Sequence, residues 1–341
     1  MLLSLAWLGA VAAHVIALSP VDSGSQASLP SSFSWTSSGP IIGPRDDGHG
    51  VRAIKDPSIV YYQGRYHVFA SAPTSSNFNL VYLSFTDFAS AKNAKFHYLE
   101  RTRIGRGYRA APEVLYHRPH KLWYLVYQSA GPTFSTNADI GDPSGWSAPR
   151  SFYAGTPATV RSNKGNGSWL DFWVICDGEY CYLFSCDDNG HLYCAKTSIS
   201  DFPSGMSEPV IVLRDEKMAL FEACNVYNVG GSYLLIVEAV GRDGNRYFRS
   251  WTAETLSSPW KRLADTEANP FARHSNVQYP TKPPWSLSVS HGEVVRSRVD
   301  ETLSIDPCGM QYLYQGLPHS KDFGNYNTLP WQLGLLNQTN C

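Results

Sequence analysis

Three acidic residues, each at or near the start of a short β-forming segment, are the strongest sign of chemistry in this 341-residue chain. Asp56 opens Asp56-Pro-Ser-Ile-Val-Tyr-Tyr, Asp171 lies in Trp169-Leu-Asp-Phe-Trp, and Glu222 lies in Leu220-Phe-Glu-Ala. Asp before Pro is also a common turn pattern, but a carboxylate inside an aromatic run must be paired, hydrogen-bonded or functional. Two facing carboxyl groups can cleave a glycosidic bond, because one protonates the leaving oxygen while the other activates water or attacks the sugar. The residues alone do not assign these roles.

His291, in the segment Ser-His-Gly-Glu, is a fourth candidate. It could bind a metal, contact a substrate or be a hydrogen-bonded core histidine, and the sequence leaves all three open. Serine-nucleophile motifs, Gly-rich phosphate loops and His-Glu-x-x-His helices are absent from the sequence. Acid–base chemistry by carboxylates is therefore the leading hypothesis.

The segments that must position these residues repeat along the chain. Short runs rich in Val, Ile, Tyr, Phe and Trp form five hairpin-like pairs. Their first residues are Asp56, Arg109, Asp171, Glu222 and His291, which are separated by 53, 62, 51 and 69 residues. Repeats of this size predict an all-β, five-bladed β-propeller, in which the first strand of every blade lines a central channel. We place the three acids at equivalent positions of that channel. A pair of β-sandwich domains with similar hairpins is the alternative.

Composition excludes some partners. The net charge is −1 and basic clusters are absent, so we expect no nucleic-acid binding. Residues 1–17 are almost wholly apolar and carry no Lys, Arg, Asp or Glu, which predicts a signal peptide and a secreted protein without a membrane span. A buried N-terminal helix is the other interpretation. Residues 18–28 form a short polar segment, and residues 29–341 are expected to be one catalytic domain.

Seven cysteines suit an oxidising compartment. Cys176 and Cys181 flank Asp-Gly-Glu-Tyr, so a hairpin there would bring them to bridging distance. A metal site in the 176 to 194 cluster is the rival interpretation, although its spacings match no zinc template. Asn166-Gly-Ser and Asn337-Gln-Thr are glycosylation sequons, usable if the chain is secreted.

From about Leu29 to its C-terminus the chain resembles glycoside hydrolase family 62, the arabinoxylan α-L-arabinofuranosidases of fungi and bacteria. The segments that carry the resemblance include Ala53-Ile-Lys-Asp-Pro-Ser, Gly107-Tyr-Arg-Ala-Ala-Pro, Asp187-Asp-Asn-Gly-His-Leu-Tyr, Tyr247-Phe-Arg-Ser-Trp-Thr and Gly324-Asn-Tyr-Asn. The resemblance implies a five-bladed propeller and an inverting hydrolase that removes single α-1,2- or α-1,3-linked arabinofuranosyl groups from arabinoxylan.

The same resemblance assigns roles to particular residues. It implies that Asp56 is the general base, Glu222 the general acid, and Asp171 the carboxylate that tunes the acid and holds the sugar. Lys55 and Tyr326 match positions that line the arabinose pocket. His291 matches a histidine near a metal ion, usually calcium, on the propeller axis; the chemistry itself would need no cofactor.

Cysteines are where the chain departs from the family pattern. Many fungal members carry a cysteine just before the segment matching Leu29-Pro-Ser, whereas this chain has Gln26-Ala-Ser there. The resemblance therefore leaves the partner of Cys308 open, with Cys341 as the obvious substitute. Cys186, Cys194 and Cys224 are additional to the usual pattern.

Two other functions remain open at this stage. One is a related propeller hydrolase acting on arabinan or unsubstituted xylan, and the other is a non-catalytic sugar-binding propeller. The presence of all three acids favours an enzyme. We expect a monomer whose partner is arabinoxylan or its oligosaccharides.

Overall fold

Five sheets follow one another along the chain in the computed structural model, which describes residues 28–318 and 329–341. A short strand, β1 (Trp35–Ser37), precedes the first sheet. The first sheet contains β2 (Lys55–Tyr62), β3 (Arg65–Pro73), β4 (Phe78–Phe85) and β5 (His97–Tyr98). The second contains β6 (Ala110–His117), β7 (Leu122–Gln128), β8 (Pro132–Asn137) and β9 (Arg150–Ser151).

The third, fourth and fifth sheets repeat this plan. The third contains β10 (Leu170–Cys176), β11 (Tyr180–Cys186), β12 (His191–Ser198) and β13 (Val210–Arg214). The fourth contains β14 (Glu222–Val229), β15 (Ser232–Val240), β16 (Arg246–Ala253) and β17 (Lys261–Arg262). The fifth combines β18 (Val277–Gln278), β19 (Ser290–Val294), β20 (Gln311–Gly316) and β21 (Gln332–Gln338) with β1. Between the strands, the described residues also form a short helix, α1 (Ala158–Asn163), and three 3-10 turns, Ala91–Asn93, Leu99–Arg101 and His274–Asn276.

The sheets are blades of a closed β-propeller. Their innermost strands β2, β6, β10, β14 and β19 contact one another in that order, and β19 contacts β2 again. These strands are largely buried because they are covered on both faces; all seven residues of β10, for example, are buried. The predicted five-bladed propeller is confirmed, and the two-sandwich alternative is wrong.

The fifth blade closes the ring with both ends of the domain. Its strand order is β19-β20-β21-β1-β18, so the N-terminal β1 pairs with the C-terminal β21 in antiparallel register, Trp35 opposite Gln338. The C-terminal β21 is the strand on which this closure rests. The contribution of β1 is a finding of the structure. Trp35 is 1% exposed, and its indole N–H donates to the Phe271 carbonyl at 2.7 Å.

Two disulfides tie the chain. Cys176 and Cys181 are bonded across the β10–β11 hairpin, as predicted from their spacing, and Cys308 is bonded to Cys341. His117 Nε2 lies 3.9 Å from Cys181 Sγ, but both sulfurs of that hairpin are in the disulfide, so neither is a thiolate that could bind a metal. Cys186, Cys194 and Cys224 are free and buried.

Every innermost strand contains a β-bulge near its start, where its pairing with the second strand shifts by one residue. The second residue of the first four of these strands has a left-handed φ of 47° to 56°; these residues are Asp56, Ala111, Asp171 and Ala223. Glu222 precedes Ala223, so it corresponds to Lys55 and Leu170 rather than to Asp56 and Asp171. The prediction that all three acids hold equivalent positions is therefore wrong by one residue for Glu222.

The predicted signal peptide, residues 1–17, lies outside the described residues. In the part of the chain that the structure describes, no helix is long and apolar enough to cross a membrane.

The two glycosylation sequons differ in exposure. Asn166 is exposed, whereas Asn337 lies half-buried in β21 and accepts a hydrogen bond from Gln311 Nε2 at 2.9 Å. Asn166 is thus the better placed of the two glycosylation sequons.

Candidate active site

A pocket of about 500 Å³ opens where the innermost strands begin. Five predicted site residues line it: Lys55, Asp56, Asp171, Glu222 and His291. The sixth, Tyr326, lies outside the described residues. Arg109, which precedes β6, does not line this pocket; its guanidinium donates to the Tyr108 carbonyl at 2.7 Å and to Ser129 Oγ at 2.9 Å.

Asp56 is the carboxylate that its surroundings keep ionised. Burial alone would raise its pKa, but the Lys55 ammonium and His291, with smaller contributions from a Ser71 hydrogen bond and Arg246, outweigh burial and lower the pKa below its usual value. His291 Nδ1 lies 3.5 Å from Asp56 Oδ1. An ionised carboxylate facing a pocket can accept a proton from water, so Asp56 has the state that a general base requires.

Asp171 is shifted in the opposite direction. Burial, followed by the charges of Glu222 and Asp56, raises its pKa well above the usual value. Its Oδ2 accepts a hydrogen bond from the Ala223 N–H at 2.7 Å and lies 3.8 Å from His291 Nδ1. Asp171 therefore interacts with both other acids and can hold a proton between them.

Glu222 faces the pocket from the first position of β14. Its Oε1 accepts a short hydrogen bond from Arg246 Nη1, and the same nitrogen donates to Glu238 Oε1 at 2.5 Å. Neither Arg246 nor Glu238 was predicted from the sequence. Their link to Glu222 depends on β14, β15 and β16 lying side by side.

Asp188 is a fourth acid of the pocket, which sequence reasoning missed. It lies in the turn between β11 and β12, and burial, then Glu222 and Asp171, raise its pKa to about 8. It belongs to Asp187-Asp-Asn-Gly, one of the segments that resemble family 62. A turn rich in Asp, Asn and Gly is common at surfaces, so its sequence gives no reason to place Asp188 beside Glu222.

Aromatic side chains form part of the rim. Phe78 and Tyr108 line the pocket, Tyr108 is 44% exposed, and its hydroxyl is hydrogen-bonded to Gln128 Nε2. Lys55 Nζ lies 5.6 Å from the centre of the Phe78 ring. Exposed aromatic faces beside carboxylates suit a sugar ligand, since a sugar presents both C–H groups and hydroxyls.

Among the described residues, His291 is not part of a cluster of three or more His, Cys, Asp or Glu donor atoms close enough to share an ion. Calcium takes six to eight oxygen ligands. Among residues 28–318 and 329–341, the one cluster of three or more His, Cys, Asp or Glu donor atoms close enough to share an ion is the one at His117. The contacts of the His291 ring with Asp56 and Asp171 make it part of the carboxylate cluster. The metal site stays a prediction.

Hydrogen bonds between blades hold the bulges that present these residues. Four bulge N–H groups donate to a side chain on the second strand of the preceding blade: Asp56 to Gln315, Ala111 to Ser71, Asp171 to Gln128 and His291 to Glu238, at 2.7 to 3.1 Å. In the third blade, the second-strand residue at the position of these acceptors is Cys186. The Ala223 N–H instead binds the Asp171 carboxylate, which fixes that acid toward Glu222.

Comparison with known proteins agrees with this architecture. Residues 34–337 match the sequence profile of glycosyl hydrolase family 62. The chain is 45% identical over 310 residues to alpha-L-arabinofuranosidase C of Cellvibrio japonicus, which covers 89% of this chain and 46% of that protein. The chain therefore spans about half the length of this curated relative.

Two solved structures are similar over almost the whole chain. The catalytic domain of a family 62 α-L-arabinofuranosidase from Coprinopsis cinerea superposes with a TM-score of 0.90 at 56% identity, covering 92% of this chain and 99% of that one. A family 62 hydrolase in complex with xylotriose superposes with a TM-score of 0.88 at 50% identity, covering 90% and 98%. Because the profile covers most of the chain and the similarity extends over the complete propeller, the chain belongs to glycosyl hydrolase family 62.

Proposed function

We propose that this protein is a secreted α-L-arabinofuranosidase that removes terminal α-1,2- or α-1,3-linked arabinofuranosyl groups from arabinoxylan, with inversion. The observation that carries the proposal is the pocket in which Asp56, Asp171 and Glu222 meet, with the pKa of Asp56 lowered and that of Asp171 raised. Acid–base cleavage of a glycosidic bond uses carboxyl groups whose pKa values differ, so that one is ionised while another carries a proton.

In the proposed mechanism, Asp56 takes a proton from a water molecule as that water attacks the anomeric carbon of the arabinose. Glu222 gives its proton to the leaving xylan oxygen. Asp171, bound to the Ala223 N–H and close to both acids, holds the sugar and tunes the acid. Lys55 lines the same pocket, and Tyr326 is proposed to do so.

The substrate class is supported by the relatives. A family 62 structure was solved with xylotriose, and both a curated relative and a solved relative are named α-L-arabinofuranosidases. An open pocket with an aromatic rim suits one sugar unit attached to a longer chain that runs across the rim. A monomer is sufficient for this proposal, because the pocket residues named here come from one chain.

An NMR time course on wheat arabinoxylan tests the function. The expected result is release of arabinose alone, first as the β-anomer, because a single displacement by water inverts the α-linkage. Arabino-oligosaccharides or xylose as products would identify an arabinan or xylan hydrolase instead. The α-anomer as first product would contradict inversion, and binding without release of any sugar would identify a non-catalytic propeller.

A further inference from the structure

Arg246 lies between two carboxylates at the edge of the active-site pocket. Its Nη1 donates to Glu222 Oε1 and, at 2.5 Å, to Glu238 Oε1. Its guanidinium carbon lies 5.2 Å from the centre of the Phe221 ring and 5.7 Å from that of Trp331. The side chain is only 13% exposed. Arg246 is thus a fixed cation, held by aromatic rings and shared by two acids.

Glu238 is the acidic residue among the four second-strand side chains that accept a hydrogen bond from a bulge N–H. It is completely buried in β15, opposite Glu222 in the β14–β15 pairing. Its Oε2 accepts hydrogen bonds from Ser290 Oγ at 2.8 Å and from the His291 N–H at 2.7 Å. Burial, with a smaller effect of Glu222, raises the pKa of Glu238, but Arg246 on Oε1 and the two donors on Oε2 all oppose that rise.

The contacts continue from Glu238 toward Asp56, the proposed general base. Ser290 Oγ accepts a hydrogen bond from Gln315 Nε2 at 2.8 Å, and Gln315 Oε1 accepts one from the Asp56 N–H at 2.7 Å. A continuous series of polar contacts therefore joins Glu222 to the backbone of Asp56. It crosses from the fourth blade through the fifth to the first.

Among the described residues, more carboxyl groups than cations surround Glu222. Carboxyl groups face it from three elements: Asp171 on β10, Asp188 in the β11–β12 turn and Glu238 on β15. Within the part of the chain that the structure describes, Arg246 on β16 is the cation in direct contact with it. An arginine paired with Glu222 alone would favour the ionised carboxylate, which cannot donate a proton. Sharing the guanidinium with Glu238 weakens that preference while keeping the hydrogen bond that orients Glu222.

We propose that Arg246 and Glu238 form a positioning pair for Glu222: Arg246 orients its carboxyl, and Glu238 takes enough of the arginine's charge for Glu222 to carry the proton that it donates. The proposal rests on the function proposed above. It assigns roles to two residues that do not line the pocket.

Two substitutions should move the pH dependence in opposite directions. A general acid works only when protonated, so kcat falls above its pKa. Glu238→Gln removes an anion and leaves the arginine charge to Glu222, so the alkaline limb of the kcat profile on arabinoxylo-oligosaccharides should move to lower pH by about one unit. Arg246→Gln removes the cation, so the limb should move to higher pH, with a lower maximal kcat because Glu222 is less well oriented.

Arg246→Lys is the conservative variant. It keeps the charge but loses the planar group that can donate to two carboxylates. We expect its alkaline limb to stay near that of the wild type, with a reduced kcat and little change in KM. This variant keeps the test decisive if Arg246→Gln does not fold.

Arg273 provides a matched control. Its Nη2 lies 2.9 Å from Asp243 and 3.0 Å from Glu267, its side chain is 12% exposed, and its guanidinium lies over the Tyr247 ring. Arg273→Gln therefore removes a similar arginine from between two carboxylates outside the pocket. It should lower Tm without moving the pH profile.

A purely structural role for the pair predicts a different result. If Glu238→Gln and Arg246→Gln lower Tm but leave the alkaline limb in place, or move it in the same direction, the proposal is overturned. The titration of Glu222 can also be followed by ¹³C NMR, without an activity assay. Its carboxyl signal is the one that is missing from the spectrum of Glu222→Gln. If the wild type releases no arabinose, the proposed function fails, whereas opposite shifts of this signal in the two variants would still support the pair.

Discussion

Asp56 and Asp171 hold equivalent bulge positions in two blades, yet their pKa values move in opposite directions. The residue before Asp56 is Lys55, a cation of the same pocket, whereas the residue before Asp171 is the apolar Leu170. Asp171 also faces both Glu222 and Asp56. One backbone position can therefore supply an ionised base in one blade and a carboxyl with high proton affinity in another.

Substituting the proposed acid should make activity depend on the leaving group. Glu222→Gln removes the proton donor, so hydrolysis of arabinoxylan should fall by about 10²–10⁴-fold. A 4-nitrophenyl arabinofuranoside should lose much less, because its phenolate leaves without protonation. Initial rates on the two substrates measure the difference.

Asp56→Asn is the comparison for that experiment. Loss of the base prevents activation of water whichever group leaves, so both substrates should be affected equally. If Glu222→Gln reduced both substrates to the same extent, the assignment of Glu222 as the acid would be wrong.

At the scale of elements, the bulges are what turn the pocket residues toward the axis. A bulge adds one residue to a strand, bends it and re-aims its side chains. Here it occurs in all five innermost strands, and four bulge N–H groups are bound by the preceding blade through a side chain of its second strand. The strands are thereby held at matching heights around the channel.

Ala111 tests the bulge in a blade that contributes no acid to the pocket. Its φ is 47° and it is 4% exposed. Ala111→Val should destabilise the protein by about 2 kcal/mol, because a β-branched residue is strained in the left-handed region and also needs space. Ala111→Gly tolerates this φ and should stay close to the wild type. Thermal unfolding of both variants checks this, and equal Tm values for Val and Gly would contradict the strained bulge.

A second layer of interblade contacts lies deeper in the channel. Ser58, Glu113 and Glu293 accept hydrogen bonds from the N–H groups of Val114, Val174 and Ile59 in adjoining blades, at 2.6 to 3.1 Å. Glu113 and Glu293 are almost completely buried, and Arg296 Nε lies 2.7 Å from Glu293 Oε1. Titratable groups on the axis are thus part of the connection between blades, and they make its stability depend on pH.

For the molecule as a whole, Glu113 predicts a pH effect on stability. Burial, with a smaller effect of Glu293, raises its pKa well above 4.5 despite the Val174 N–H and Arg296. The folded protein therefore binds this proton more tightly than the unfolded chain. Its contribution to stability is complete below the unfolded pKa and is lost as the pH rises through the folded pKa, by at most about 1.4 kcal/mol per pH unit.

Glu113→Gln should remove that loss while its amide oxygen still accepts the Val174 hydrogen bond. Between pH 5 and 8, Tm should fall less steeply in this variant than in the wild type. Glu254→Gln, at a surface residue whose side chain is 81% exposed, is the control and should follow the wild type. If Tm falls with pH equally steeply in all three proteins, Glu113 is not the source of the pH dependence.

Closure of the ring depends on the two ends of the domain. The Cys308–Cys341 disulfide closes a sequence separation of 33 residues and lies beside the β1–β21 pairing that completes the fifth blade. A loop of that size implies a loss of about 3–4 kcal/mol when the crosslink is removed. Cys308→Ser with Cys341→Ser should therefore lower Tm clearly. Cys194→Ser, at a free cysteine, is the control for serine substitution alone, and equal Tm values for the two variants would refute this role.

Much of this protein could be predicted from its sequence. The alternating aromatic and β-branched runs, their repeat and the hairpin between Cys176 and Cys181 are local features, because neighbouring strands of a blade are joined by short turns. Asp56, Asp171 and Glu222 were recognised because acids are costly inside apolar strands. The resemblance to family 62 rested on motifs that can be read in order along the chain.

The tertiary structure decided what local pattern could not. A bulge shifts pairing by a single residue, so the sequence did not show that Glu222 matches Lys55 rather than Asp56. Asp188, Glu238 and Arg246 meet Glu222 only once the strands and blades are side by side, and β1 reaches β21 only when the ring closes. These contacts join residues distant in the chain, and their energies exist only in the closed propeller, so no local spacing encodes them.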